Sequence, residues 1–416
     1  MRKRLTVGAS LSAVVLVAAI FVAGSQAMVG GGLPNVAKKA AVTTVTLTGW
    51  ASSPAETDAL KATVAGFEQT HKAIKVNYAP INGDYPASML AKFAARKPPD
   101  VFYVDSNVAP DWMSQGVLEP LDSYIKKTKF STKPFYARLL DAFRYKGHIY
   151  GFPKDWSPLA IETNNAMMAK AGVTPPTTWA QLKTVAQKLK NANAVPGGAP
   201  MCIDPDWARM LAFVYQNKGS FLNAKKTAPA VQSAATKAAV NFYVDFNKTG
   251  LSATHDKLGV GWCGEALGKE KAAIAFEGNW IVGYMSDTFP GVSYKISPLP
   301  KGKVRGNLGF TVSYSIGKNS PNKAAAWTLL TYLTGKQGMR SWTKQGIALP
   351  SRRDVPVPTG RGPFLKQAGY SHAWQFAPRF SKVIDTANNE LTAVFQGKES
   401  VDEMLAKVAE AAKAAL

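Results

Sequence analysis

Residues that usually carry metal binding or catalysis are scarce in this 416-residue sequence. It contains 4 histidines without ligand spacing and 2 cysteines, so no metal site is expected. The GxxxxGK[ST], GxSxG and HExxH motifs are missing. Residues 259–264 match GxGxxG, but they precede a predicted strand instead of following one. A dinucleotide site is therefore not expected, and no cofactor is predicted.

Acidic residues are few compared with basic ones. There are 27 Asp and Glu against 50 Lys and Arg, which gives a formal net charge of +23. The basic residues are scattered instead of clustered with aromatic side chains, and the sequence carries no nucleic-acid motif. The charge therefore indicates a solvated surface suited to an anionic wall or membrane, and no nucleic-acid partner is expected.

Long apolar runs are limited to residues 7–23, which follow Arg2, Lys3 and Arg4. Small residues at 25–27 offer a cleavage site, so residues 1–27 are predicted to be a secretory signal peptide. An uncleaved anchor that tethers the protein to the membrane is the alternative, and no cysteine near residue 27 could carry a lipid. Residues 28–41 predict a flexible lead. We expect an exported protein, at the cell surface, in the periplasm or outside the cell.

The two cysteines, Cys202 and Cys263, form an even pair in a chain that is predicted to be exported. Such a pair favours one disulfide. Two buried free thiols are the alternative.

Strands and helices alternate along the sequence. Predicted strands at 42–48, 74–78 and 101–104 are separated by helical patterns, which argues for an α/β fold with parallel sheets flanked by helices. The length allows two domains. Further predicted features are strands at 272–276, 292–296 and 306–316, a helix at 228–247, helix starts at Ser53-Pro54, Asp204-Pro205 and Ser320-Pro321, and capping boxes at Thr178/Gln181 and Ser400/Glu403.

Tryptophans stand at the ends of several predicted elements. Residues 272–276 form a short apolar strand, Gly278 permits a sharp turn, and Trp280 then opens a helix. In open α/β sheets, ligands bind at the carboxyl ends of the strands. Aromatic faces beside polar groups suit the C–H faces and hydroxyl edges of a sugar. A single tryptophan in such a position is usually a core residue, and that is the alternative for Trp280. The other tryptophans in such positions are Trp50, Trp156, Trp207 and Trp374.

Several segments, in order, resemble one family. They include VTLTGW, KPPDVFYVDS, VLEPLDSYI, YGFPKDWSPLAIETNN, KAAIAFEGNW and NLGFTVSYSIGKNSPNKAAAWTLLTYLTGKQGM. The sequence resembles the extracellular solute-binding proteins of carbohydrate ABC importers, the maltose-binding-protein-like family, over nearly the whole mature chain. The resemblance implies a receptor without enzymatic activity that closes over a disaccharide or oligosaccharide and delivers it to membrane permease subunits. A monomer is expected.

The resemblance implies two α/β lobes of mainly parallel sheet, joined by a hinge of crossing segments near residues 156–159, 306–310 and 349–352. Lobe one is predicted at 42–155 and 307–348, and lobe two at 156–306 and 349–416. Trp280 matches a stacking aromatic of the family and Asp105 a hydroxyl-binding acid. The predicted ligand-binding residues are Trp50, Ser52, Asp105, Asp155, Trp156, Trp207, Glu277, Asn279, Trp280, Gly309, Phe310 and Trp374.

Two other functions stay open. Carboxylate pairs such as Asp155 and Glu277 could serve an exported glycoside hydrolase, although a chain with 27 acidic residues offers many such pairs. The same fold could instead bind a phosphorylated polyol such as glycerol phosphate. Two or more Arg or Lys side chains in the cleft would favour that ligand.

Overall fold

The first part of the chain alternates strands and helices as predicted. The computed structural model describes residues 41–50, 54–344, 346 and 348–416, so the predicted signal peptide, most of the lead and Ser53 lie outside the described residues. The elements to residue 170 are β1 (Thr43–Thr48), α1 (Pro54–Thr70), β2 (Ile74–Tyr78), α2 (Tyr85–Ala94), β3 (Val101–Asp105), α3 (Ala109–Ser114), α4 (Asp122–Thr128), α5 (Ala137–Asp141), β4 (Arg144–Tyr145), β5 (His148–Ile149), β6 (Gly151–Pro158), β7 (Ile161–Asn164) and α6 (Asn165–Lys170).

The later part of the chain supplies the remaining helices and strands. They are α7 (Trp179–Asn191), β8 (Ala199–Cys202), α8 (Trp207–Gln216), α9 (Ala234–Lys248), β9 (Ser252–Ala253), α10 (Cys263–Gly268), β10 (Ala272–Ala275), α11 (Trp280–Thr288), β11 (Tyr294–Ser297), β12 (Asn307–Ile316), α12 (Lys323–Thr334), α13 (Lys336–Thr343), α14 (Gly362–Leu365), β13 (Ser371–Ala373), α15 (Phe380–Phe395) and α16 (Val401–Ala415).

Several predicted helix starts are wrong in detail. The N-cap of α8 is Asp206, whose side chain accepts from the backbone of Arg209. The start of α9 lies at Ala234, after the N-cap Ser233, because residues 228–230 pair instead with residues 221–223. The backbone N–H of Ala230, for example, donates to the carbonyl of Phe221 at 2.8 Å.

The predicted capping boxes have different outcomes. In α16 both hydrogen bonds of the Ser400/Glu403 box are present, which confirms it. In α7 the box is incomplete: Thr178 accepts from the backbone of Gln181, but the Gln181 side chain accepts from Thr177. In α12 the N-cap is Asn322 and makes no side-chain cap, so the predicted cap at Ser320-Pro321 is wrong.

Two large mixed sheets organise the molecule. The first has the strand order β13-β12-β3-β1-β2, with β6 also paired to β12, and the second has the order β11-β7-β10-β8-β9. In the first sheet β1 runs parallel to β2 and β3, whereas β12 runs antiparallel to β3 and β6. In the second sheet β8 is parallel to β9 and β10, whereas β7 is antiparallel to β10 and β11.

Each sheet has its own hydrophobic core. We call the first sheet and its core, with buried residues at 45–152 and 312–355, the first lobe. We call the second sheet and its core, with buried residues at 159–308 and 374–412, the second lobe. Strand β12 joins them, because Leu308 packs in the second core and Val312 in the first. The two-lobed α/β fold is confirmed, whereas the predicted lobe boundaries stay a prediction.

The predicted disulfide is present. Cys202, at the end of β8, is bonded to Cys263, at the start of α10. Among the described residues, the group of His, Cys, Asp and Glu close enough for a metal ion is these two cysteines with Asp204. The two sulfur atoms are bonded to each other and so do not offer thiolates to a metal ion. Nowhere in the described part does a helix have the length and apolar character needed to cross a membrane.

Candidate functional site

A cavity of about 480 Å³ lies between the two lobes. The first lobe supplies Trp50 after β1, Asp105 at the end of β3, and Trp342 from α13. The second lobe supplies Trp262 before α10 and residues of α11. The strands β6 and β12, which cross between the lobes, complete the lining, whose side chains include Trp50, Glu56, Asp105, Lys154, Asp155, Trp262, Trp280, Tyr284, Phe310 and Trp342.

The first aromatic wall is Trp50. Its ring meets those of Tyr85 and Tyr103 edge-on, with centroids 5.2 and 5.1 Å apart. Gly49 makes this packing possible, because a Cβ at that position would lie 2.5 Å from the Tyr103 ring. The ring of Trp50 is thus fixed by its neighbours before any ligand arrives.

The aromatic wall that the second lobe supplies is Trp280, which follows β10 as the sequence predicts. Its indole Nε1 donates to Glu277 at 3.0 Å, and its ring stands edge-on to Phe310 with centroids 5.5 Å apart. Gly278 is required here, since a Cβ would lie 2.2 Å from the Trp280 ring. The turn after the strand therefore brings one aromatic ring to the cavity and fixes its orientation.

Glu277 holds Trp280 from behind. Its side chain is 1% exposed and is paired with the guanidinium of Arg209. The same guanidinium donates to the carbonyl of Phe276 at 3.0 Å and to Asp206 at 2.9 Å. Burial raises the pKa of Glu277, while Arg209 opposes that shift. The charged pair thus anchors the Trp280 ring without lining the cavity itself.

The polar floor is built around Lys154, whose side chain is 3% exposed. Its Nζ lies 2.5 Å from an Asp155 oxygen and 3.7 Å from a Glu56 oxygen. It also lies 4.0 Å from the ring centroid of Trp342, whose Nε1 donates to Asp155 at 3.1 Å. The lysine is thus enclosed by opposite charges and an aromatic face.

Asp105 is the third carboxylate of the cavity. Val312 of β12 pairs with both Asp105 of β3 and Asp155 of β6, so the two carboxylates come from strands on either side of it. One oxygen of Asp105 accepts from the backbone of Asn107 at 3.0 Å. Burial raises the pKa of Asp105 to about 6, and the charge of Asp155 adds to the shift.

Half of the residues predicted to bind a ligand line this cavity. They are Trp50, Asp105, Asp155, Trp156, Trp280 and Phe310. Glu277 and Asn279 lie behind it: the backbone of Asn279 donates to Ser157 at 2.6 Å and its side chain to the carbonyl of Gly346 at 2.9 Å.

The other predicted residues lie elsewhere. Trp207 is wholly buried in the second core, edge-on to Phe221, because the apolar face of α8 points into that core. Trp374 is also buried there, with its ring centroid 6.1 Å from that of Phe310. Gly309 lines a different cavity, and Ser52 lies outside the described residues.

The lining side chains that were not predicted from the sequence include Glu56, Lys154, Trp262, Tyr284 and Trp342. Two of them had a signal. Tyr284 follows Trp280 by four residues, which places both on one face of α11. Trp262 lies inside the GxGxxG match at residues 259–264, and its ring packs edge-on against Tyr284, with centroids 4.9 Å apart. Trp342 reaches the cavity through tertiary packing alone.

Comparisons with known proteins agree with this architecture. A Brucella abortus protein described as a binding protein is 24% identical over 374 residues, which cover 84% of this chain and 88% of the relative. An ABC substrate-binding protein from Listeria monocytogenes in complex with cycloalternan has a TM-score of 0.82 at 21% identity, covering 90% of this chain and 98% of that one. The GacH receptor of Streptomyces glaucescens, solved unliganded and with acarbose, has a TM-score of 0.80 at 23% identity, with coverage of 90% and 98%.

A match to a family model shows which protein family the chain belongs to. The model, described as bacterial extracellular solute-binding protein, matches residues 51–340. Those residues include most of both sheets and nearly all of the lining of the cavity between the lobes. The chain therefore belongs to the bacterial extracellular solute-binding protein family.

Proposed function

We propose that this protein is the receptor of an ABC importer for a neutral disaccharide or oligosaccharide. The observation that carries the proposal is the cavity between the lobes, where Trp50 and Trp280 face a space that also holds the carboxylate of Asp105. Ring faces exclude water from the C–H surface of a sugar, and carboxylates accept hydrogen bonds from its hydroxyls. Cycloalternan and acarbose, bound by the similar structures, support a saccharide ligand.

The two lobes are expected to close over the ligand, because each lobe supplies one aromatic wall of the cavity. Trp50 belongs to the first lobe and Trp280 to the second, and both line the cavity, so a ligand bound there touches both lobes and holds them together. A ligand that makes more contacts in the closed form shifts the population toward that form. The closed receptor is then the form that a permease recognises.

A phosphorylated polyol suits the cavity less well. Among the described residues that line it there are one lysine and no arginine, against the carboxylates of Glu56, Asp105 and Asp155. The lysine is already paired with two of these carboxylates. A phosphate group would bring more negative charge without a cation that is available to bind it.

The receptor role implies binding without turnover. A glycosidase needs a free acid and a free base on the two sides of the bond that it cleaves. Asp155 accepts from Lys154 and Trp342 instead. We further propose that the protein acts as a monomer outside the membrane after export through residues 1–27, with an uncleaved anchor as the alternative to cleavage.

A thermal-shift screen of neutral oligosaccharides against glycerol 3-phosphate tests the proposal. A ligand that binds only the folded state adds about 2.7 kcal/mol of stability at a hundred times its dissociation constant. We expect a neutral oligosaccharide to raise the melting temperature, glycerol 3-phosphate to leave it unchanged, and the radius of gyration to fall at saturation. A shift with glycerol 3-phosphate alone, or release of smaller sugars on incubation, would contradict the proposal.

A further inference from the structure

A second cavity of about 320 Å³ lies on the other face of the crossing strands. In the antiparallel pair of β6 and β12, Ser157 is opposite Phe310 and Asp155 is opposite Val312. These pairs face the first cavity. Neighbouring pairs alternate between the two faces of a sheet, so Trp156 and Gly309 lie on the reverse face. The second cavity is therefore a separate space behind the hinge, although Trp156 borders both cavities.

The mouth of the second cavity is basic. Arg138 and Arg353 line it together with His372, and no carboxylate is found among the described residues of the lining. Arg353 lies over the ring of Tyr136 at 5.2 Å, and Nη1 of Arg138 donates to the carbonyl of Gly369 at 3.4 Å. The ion pairs found among the described residues include neither of these arginines. Partial burial lowers the pKa of His372, and the charge of Arg138 adds to the shift. A neutral imidazole can donate one hydrogen bond while two guanidinium groups supply positive charge.

The floor of the second cavity is aromatic. Trp156 is 4% exposed, and its ring centroid lies 6.2 Å from that of Tyr136. The indole Nε1 of Trp156 is buried and has no acceptor within the part of the chain that the structure describes. Together with Tyr136, the small exposed part of Trp156 gives this cavity an aromatic side against which an apolar ligand can pack.

We infer that this second cavity binds a small organic carboxylate with a flat apolar body. The forked guanidinium groups match the two oxygens of a carboxylate, and the tryptophan and tyrosine rings give its apolar body a surface to pack against. The volume is within the range of small-molecule sites. The inference is independent of the saccharide that occupies the first cavity.

Calorimetric titration of the full-length exported protein with benzoate tests this inference, with benzamide as a neutral probe of the same shape. We expect saturable binding of benzoate and none of benzamide. Arg138→Gln and Arg353→Gln should each weaken benzoate binding about tenfold or more, because each removes one of the two cations that bind the carboxylate. Arg353→Lys, which keeps the charge but loses the fork, should bind with an intermediate affinity.

The controls separate this site from general charge and from the first cavity. Arg340→Gln removes an exposed arginine of α13 that lines neither cavity, so the benzoate affinity should stay as in the wild type. Trp280→Ala should also leave benzoate binding intact. Equal binding of benzoate and benzamide, no binding of benzoate, an equal effect of Arg340→Gln, or loss of binding in Trp280→Ala would each overturn the inference. A melting curve for each variant confirms that it is folded.

Discussion

Replacing Trp280 by alanine separates a ligand-stacking ring from a core ring. The side chain is half-buried, and its Nε1 is bonded to Glu277, a carboxylate that Arg209 also holds. Covering such an aromatic face with a sugar contributes roughly 1–3 kcal/mol at the usual area coefficient. Since 1.4 kcal/mol is a factor of ten, Trp280→Ala should weaken sugar binding by about tenfold to a hundredfold.

The stability of the same variant should fall by less than that of a core tryptophan variant. Trp280→Ala removes one hydrogen bond to a charged group, which is worth about 1.5–3 kcal/mol, while Glu277 keeps its arginine. Trp207 is wholly buried, so Trp207→Ala should cost about 3–5 kcal/mol. Trp207→Phe should lower stability by less and leave the sugar affinity unchanged, because that side chain lies away from the cavity.

Calorimetry and a urea melt on one preparation of each variant measure both quantities. We expect a loss of affinity for Trp280→Ala and a loss of stability for the Trp207 variants. The opposite result would be that Trp280→Ala binds sugar like the wild type and loses as much stability as Trp207→Ala. Trp280 would then be a core residue and the proposed stacking wall would be wrong.

Two further predictions concern the disulfide and the buried carboxylate. Cys202 and Cys263 are 61 residues apart, so reducing the disulfide should lower the free energy of unfolding by about 4 kcal/mol or less. Urea melts with and without reductant measure this difference, and an unchanged midpoint would contradict the prediction. The raised pKa of Asp105, about 6, means that its contribution to stability is present below about pH 4, the ordinary value for an unfolded chain, and is lost as pH rises through 6. Relative to Asp105→Asn, the stability of the wild type should therefore fall as the pH rises from 4 to 7. Its sugar affinity should weaken below pH 6, because the ionised carboxylate accepts hydrogen bonds from the sugar hydroxyls. Parallel pH profiles for the two proteins would show that Asp105 is not the titrating group.

The strand and helix order could be predicted because it depends on local patterns. The apolar run before Glu277 and the turn at Gly278 placed Trp280 at the cavity, and the β-branched runs placed β1 to β3. The start of α9 could not be predicted. Residues 228–230 belong to an alanine-rich pattern that favours a helix, but they pair with residues 221–223 instead.

The site itself was only partly predictable, because the sequence around a tryptophan can be the same whether its side chain lies in a core or in a cleft. Trp207, Leu211 and Val214 share one face of α8, a spacing that indicates a core stripe. Trp342 reaches the cavity only through its contacts with Lys154 and Asp155, which are distant in the sequence. No local pattern reports such a contact.

Each core is built from two segments that are far apart in the sequence, and this affects how the chain folds. The first core includes residues 45–152 but needs residues 312–355, and the second needs residues 374–412. Strand β3 pairs with β12 through Val101 and Ile316, so that ladder closes a very long loop. Domains normally fold as units during synthesis, amino-terminal one first. Here neither lobe can reach its native packing until most of the chain is available, so both lobes complete their folding late in synthesis.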